Sequence, residues 1–222
     1  MLRDLLDWVA VPKVFVEFGF HPREFNCAGL IGSFSGLLVD GDDDIVALAK
    51  RVLPPNVTAV RQFLDLEHLD VIRDFCRDRE LGVLSVDVDG NDYWFLERLI
   101  TLRPWLIITE YNASMGHRAL SVPYDRTFER HAKHPSGWYH GASLAALTHL
   151  CEGAGYGLVA VAAGGGTAFF LRRDVAGDVP ALSPRAAYRE NALRNRWSKT
   201  TATEQWERIR HLPFVDVTAL PR

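Results

Sequence analysis

Four oxygen-bearing side chains stand at short spacing in the middle of this chain: Asp87, Asp89, Glu110 and Asn112. The first two lie in Leu84-Ser-Val-Asp-Val-Asp-Gly-Asn-Asp-Tyr93, and the others end Trp105-Leu-Ile-Ile-Thr-Glu-Tyr-Asn112. Each run is apolar before it turns acidic, the pattern of a buried parallel strand. Such a strand carries the residues at its carboxyl end to the rim of an open sheet, where α/β folds bind ligands. One acid-tipped strand reads equally well as a cap for the helix that follows, since Asp and Asn are common helix starters. Two in succession put hard oxygen donors on one rim. That suits a divalent metal, or a hydroxyl whose proton must be removed.

The elements that must position these groups alternate along the chain. Strands are expected at residues 14–18, 36–41, 57–60, 83–86 and 106–109, with helical spacing at 42–52, 64–79 and 93–102. Strands and helices at this spacing predict a doubly wound, mostly parallel sheet. Residues 113–141 change character, with His117, His131, His134, His140, Pro123 and Pro135 and little periodicity, and read as a lid or acceptor loop. A helix follows at 142–151, then two strands at 157–162 and 168–171 joined by Gly164-Gly165-Gly166. The triplet reads as a turn and not a phosphate loop, because no helix follows it. From residue 174 to 222 the composition shifts to a helical extension anchored by Trp197 and Trp206. There Arg185, Arg189, Arg194, Arg196 and Lys199 face a single acid, Glu190; a solvated helix face is the default reading, and an anionic substrate or second subunit the alternative.

The 222 residues are enough for one domain, and 48% hydrophobic content supplies a full core. A net charge of −3 and a pI near 6.2 give no electrostatic footprint for nucleic acid or an anionic membrane. No apolar run approaches the roughly 18 residues of a membrane span. Residues 1–12 form an amphipathic segment with Asp4 and Asp7, which does not read as a signal peptide. Cys27, Cys76 and Cys151 are odd in number and widely spaced, so a reducing cytoplasm is the expected location.

Gly19 and Asp40 are about 20 residues apart, the spacing of a nucleotide-binding unit whose second strand ends in an acid for ribose hydroxyls. A dinucleotide needs a glycine-rich first turn where backbone N–H groups meet its pyrophosphate. Here the turn is Glu17-Phe-Gly-Phe-His-Pro-Arg-Glu24, with one glycine. Glu17 would repel a pyrophosphate but suits the cationic methionine end of S-adenosylmethionine.

With that turn, Asn26 and Gly36-Leu-Leu-Val-Asp-Gly-Asp42, the chain resembles class I S-adenosylmethionine-dependent methyltransferases of the FkbM-like kind. The runs Leu84–Trp94 and Ile108–Asn112 resemble that group's next two blocks, and Tyr139–Leu144, Gly155–Val159 and Ala168–Arg172 its later ones. The resemblance spans residues 14–173, the expected methyltransferase domain being 1–173. More narrowly, the chain looks like sugar O-methyltransferases of actinobacterial polysaccharide pathways. The resemblance implies a seven-stranded, Rossmann-like sheet with an antiparallel last hairpin. It also implies methyl transfer to a sugar or glycoside hydroxyl, with a non-sugar natural-product hydroxyl or a non-catalytic nucleotide-binding module as alternatives. Cofactor contacts are expected from Glu17, Gly19, Phe20, Asn26, Asp40, Gly41, Phe63, Leu64 and Asp87. The bulky Phe20-His-Pro-Arg23 departs from the group's small residues.

Metal-dependent relatives keep an acid after strand four and an acid and an amide after strand five. By that likeness Asp87, Asp89, Glu110 and Asn112 are expected to hold magnesium, which would clamp two hydroxyls and acidify one. No lysine follows Asp87 to act as base, so His140, His117 or Asp89 is expected to take the proton. Trp138 and Tyr139 are candidates for stacking on a sugar ring. A homodimer contact through the C-terminal helices is a further expectation.

Overall fold

The structure, a computed structural model, describes residues 2–21, 25–63 and 65–220. Leu64 and the Pro22-Arg-Glu24 part of the first turn therefore lie outside the described residues.

Five strands, β1 (Val14–Phe18), β2 (Ser35–Asp40), β3 (Val57–Arg61), β4 (Val83–Val86) and β5 (Leu106–Glu110), run parallel to one another. After a two-residue β6 (Leu120–Ser121), the chain forms β7 (Tyr156–Val161) and β8 (Thr167–Arg172). The sheet order is β3-β2-β1-β4-β5-β8-β7, with β8 antiparallel to both of its neighbours. The order reverses between β1 and β4, so a crevice opens at the carboxyl ends of these strands. This is the doubly wound, Rossmann-like sheet with an antiparallel last hairpin that the sequence leads one to expect.

Alternating side chains divide the core in two, because successive residues of a strand point to opposite faces. Val16, Phe18, Leu84, Val86 and Ile107 meet Ile72, Leu96, Leu99 and Leu147 on one face. Those partners belong to α3 (Asp70–Cys76), α4 (Asp92–Leu99) and α6 (Leu144–Gly153). Phe15, Leu38, Val83 and Ile108 meet Leu5, Val46 and Ala49 on the other, from α1 (Leu2–Trp8) and α2 (Asp43–Val52). Burial on both faces is why the strands read as continuous apolar runs. Asp42 caps α2 by accepting the N–H groups of Asp44 and Ile45, so the acidic triplet does start that helix. The helix expected over 64–79 is shorter, α3 alone.

The segment after β5 is more ordered than its composition suggests. It holds α5 (Arg130–Lys133), and β6 pairs with β9 (Val215–Asp216) from the C-terminal end. Met115, Val122, Trp138 and Tyr139 pack with Trp206 and Ile209 of α9 (Ala202–Ile209) in a third apolar cluster. Trp138 and Tyr139 are thus buried, and the Tyr139 hydroxyl donates to Pro213 O; they are not free to stack on a ligand.

The rest of the extension, α7 (Pro184–Ala187) and α8 (Ala192–Ser198), docks on the same end of the sheet. The glycine turn receives it: Ala192 N donates to Gly164 O at 2.8 Å. Gly165 has φ +75°, and a Cβ there would stand 2.2 Å from Glu190 O, so only glycine permits the approach. Tyr111 and Tyr188 add hydroxyl bonds to Arg189 O (2.6 Å) and Ala113 O (2.8 Å). Among the described residues no helix is long and apolar enough to cross a membrane, and the three cysteines are free and buried.

Candidate active site

A cavity of about 870 Å³ opens at the carboxyl ends of β1, β2 and β4. That is within the range of small-molecule sites, roughly 300–1,000 Å³. Of the nine residues expected to contact a cofactor, Glu17, Gly19, Phe20, Asn26, Asp40, Gly41, Phe63 and Asp87 line it. The ninth, Leu64, is not described. Five lining residues are acids (Glu17, Asp40, Asp42, Asp87, Asp89), against one arginine, Arg126.

Each lining group is held by a local device. Gly19, at φ +72°, lets β1 turn beside β4; a Cβ there would stand 1.7 Å from Asp87 O. Glu17 is buried, and its carboxylate accepts the N–H groups of Asn26 (2.8 Å) and Cys27 (2.7 Å), which fixes the returning loop. Burial raises the Glu17 pKa, and those two bonds oppose the shift. Asp40 accepts from Phe20 N at 3.2 Å and Asp42 N at 2.8 Å, and partial burial raises it too. A Cβ on Gly41 would lie 3.3 Å from the ring of Phe63, so that exposed ring stands over the end of β2. Over the cavity, Arg126 pairs with Asp65 at 2.7 Å, and Asn91 exchanges hydrogen bonds with the backbone of Asp125. The 113–141 segment therefore contributes a roof.

At the other end of the cavity, acids crowd one another. Asp87 has no hydrogen bond to its carboxylate among the described residues. Burial, then the charges of Glu110, Asp92 and Asp89, hold its pKa well above the ordinary carboxylate range. Asp92, fully buried at the start of α4, accepts from Val88 N (2.9 Å) and Gly90 N (3.1 Å) and shapes the loop after β4. Burial and Glu110 raise it to about 7. It was legible in the sequence only as a helix starter, and its part in the acid cluster needed the fold.

The expected metal ligands do not converge. Among the described residues no three His, Cys, Asp or Glu side chains stand close enough to hold an ion. Asp89, with φ +56°, lines the cavity but is paired with Arg130. Asn112 is fully engaged: Oδ1 accepts from Ser114 N (3.0 Å) and Arg194 (3.1 Å), and Nδ2 donates to Trp138 O (2.7 Å) and His140 O (2.9 Å). The donor set does not fit magnesium, so no step is assigned to a metal.

The expected bases are also corrected. His140 is fully buried and does not line the cavity. Its Nε2 lies 3.1 Å from an Arg194 nitrogen, which can only donate, so that ring nitrogen accepts. Burial lowers the His140 pKa; Glu110 opposes and Arg194 adds to the lowering, which leaves the ring neutral near pH 7. Burial alone would raise Glu110, but its pKa is lowered by the groups facing it. His140, with Nε2 3.6 Å from Glu110 Oε2, is the first of them, and Arg194, 3.6 Å from Oε1, the next. His117 is exposed, edge-on to Tyr188 at 4.8 Å, away from the cavity. Asp89 is occupied by Arg130. Arg194 itself is no solvated helix residue, since its side chain is 10% exposed. Nothing in its local sequence separates it from the other basic residues of the extension.

No family model matches the chain, and no curated protein is similar to it. Among solved structures, the N-terminal domain of EvdMO1 with SAH bound is similar at 15% identity and a TM-score of 0.47, over 76% of each chain. The same domain in the presence of SAH and D-fucose gives the same identity and score, over 76% of this chain and 78% of that one. NcsB1, an O-methyltransferase from neocarzinostatin biosynthesis in complex with S-adenosylmethionine and a naphthoic acid, is similar at 16% identity and a TM-score of 0.42. That match covers 76% of this chain and half of the other. At these values the likeness is remote, and the chemistry is read from the residues of the site.

Proposed function

We propose that the chain is an S-adenosylmethionine-dependent O-methyltransferase acting on a hydroxyl of a sugar or glycoside. One observation carries the reading: among the described residues, the crevice at the strand-order reversal is lined by five acids and one arginine. A cavity of that charge repels a pyrophosphate and attracts a sulfonium. In this reading the methionine end lies against Glu17, Gly19 and Asn26. Asp40 accepts the ribose hydroxyls, and the adenine packs on Phe63 above Gly41. Residues 1–173 hold cofactor and acceptor, and residues 174–222 brace the rim.

The sugar half rests on the sequence blocks and on acceptor chemistry. Hydroxyl groups donate to carboxylates, and the aromatic face of Phe128 at the cavity wall suits a sugar ring. Asp87 is the residue we assign as base. It lines the cavity, its carboxylate has no hydrogen-bond partner among the described residues, and its raised pKa makes it a stronger base than an ordinary aspartate. The acceptor oxygen attacks the sulfonium methyl in line, and the S–C bonding pair returns to sulfur. The hydroxyl proton passes to Asp87, leaving a methyl ether and S-adenosylhomocysteine. The fold supplies alignment of the two reactants, and removing water strengthens the field of the acids.

Calorimetric titration with S-adenosylhomocysteine tests the cofactor half. Micromolar affinity is expected, and no heat at any protein concentration would end the proposal. Transfer of a labelled methyl group from S-adenosylmethionine to a panel of sugars, glycosides and phenols tests the acceptor half. Labelling of phenols alone would overturn the sugar assignment and leave the cofactor intact.

A further inference from the structure

The charge that opposes the acidic rim comes from the far end of the chain. Arg194 directs one nitrogen to Asn112 Oδ1 at 3.1 Å and the other to His140 Nε2 at 3.1 Å and Glu110 Oε1 at 3.6 Å. We propose that the Arg194 guanidinium occupies the position a divalent ion would take at this rim, so that the site works without a metal.

The delivery of this group is heavily constrained. Arg194 N donates to the α8 cap Asn191 at 2.9 Å, and α8 is pinned by Ala192 on Gly164 O and by the close pass of Glu190 over Gly165. Asn195 continues the tie through Gln205 (2.9 Å) to Ser114 (2.7 Å), two residues beyond Asn112. A guanidinium keeps its charge at every accessible pH and presents a rigid planar fork, so it neutralises Glu110 and orients Asn112 at once. A dication within about 4 Å of that fixed cation would be repelled by it. Arg130 does the same for a third expected ligand, Asp89, which leaves Asp87 as the one carboxylate among the four expected ligands without a cation paired to it among the described residues. Among the described residues Glu110 Oε2 is buried without a hydrogen-bond partner, 3.6 Å from His140 Nε2, and its charge is balanced across space by Arg194. Arg194 is therefore a positioning residue: it acts through Glu110 and Asn112, and it makes the C-terminal extension part of the site.

The inference concerns the rim used in the proposed reaction, but its test does not need that reaction. Manganese is titrated into the EDTA-treated full chain and free Mn²⁺ is followed by electron paramagnetic resonance, with and without S-adenosylhomocysteine. Wild type and Arg194→Lys are expected to leave the free signal intact. Arg194→Ala releases Asn112 Oδ1, His140 Nε2 and Glu110 Oε1 together, and is expected to bind one ion at least tenfold more tightly. Mn²⁺ uptake by wild type that Glu110→Gln abolishes would overturn the proposal, as would a folded Arg194→Ala protein that takes up none. Should Arg194→Ala not fold, as judged by thermal melting, the wild-type and Glu110→Gln arms decide alone. The homocysteine titration reads the methyltransferase assignment separately, so failure of one is not mistaken for failure of the other.

Discussion

Replacing Asp92 with asparagine should change how stability depends on pH. Asp92 is fully buried and is raised to about 7 from 3.8 by burial and by Glu110. Between those values the native protein keeps a proton that the unfolded chain has released. Stability is therefore present at low pH and lost as pH rises toward the native pKa. A shift of about three pKa units at 1.36 kcal/mol each gives up to ~4 kcal/mol lost between pH 4 and 7. Asparagine carries no titrating proton, so this loss disappears. The variant has its own cost, because its amide oxygen can accept from only one of Val88 N and Gly90 N with normal geometry. One unmet buried N–H costs about 1–3 kcal/mol. About 1.6 kcal/mol of the wild-type loss is already complete at pH 5, so Asp92→Asn should lie within ~1.5 kcal/mol of wild type there and be more stable by about 1–3 kcal/mol at pH 8. The assay is urea unfolding followed by tryptophan fluorescence at both pH values. Asp87 contributes with the same sign, and because the Asp92 charge helps to raise its pKa, the variant loses part of that pH dependence as well, which adds to the expected difference. An unchanged stability difference at pH 5 and pH 8 would refute the reasoning.

Further outcomes follow from the assignments in the cavity. Asp87→Asn is expected to keep S-adenosylhomocysteine affinity within a few-fold and lower turnover by roughly 10²- to 10⁴-fold, the usual worth of a general base, as read by labelled methyl transfer. Wild-type turnover should rise with pH through an apparent pKa well above that of a free aspartate, because Asp87 must be ionised to act; a flat profile from pH 5 to 8 would remove it as base. Asp40→Ala should weaken S-adenosylhomocysteine about 10- to 100-fold, since hydrogen bonds to a charged acceptor are worth about 1.5–3 kcal/mol; calorimetry that shows unchanged affinity would reassign the ribose site.

The linear order of residues determined the scaffold and one end of the site. Apolar runs ending in acids located β1, β2, β4 and β5 to within a residue or so, because a strand buried on both faces must be continuously apolar. The same logic put Glu17, Asp40 and Asp87 at strand ends, and all three line the cavity. Strand topology required the antiparallel β8 to be seen between β5 and β7, though its hairpin and glycine turn were legible locally.

Tertiary structure decided everything that depends on which way a side chain faces and what meets it. Asp87 and Asp89 are two residues apart and both line the cavity, yet Asp87 is buried among the other acids while Asp89, at a left-handed turn of the backbone, is paired with Arg130. His140 looked like a base by its intrinsic pKa, but burial and Arg194 remove it from that role. Arg194 lies 82 residues from Asn112 in sequence, and no periodicity or motif links them. Composition can count the charges of a chain; only the packing of α8 on the sheet brings one arginine from the far end of the sequence to the acids on the rim.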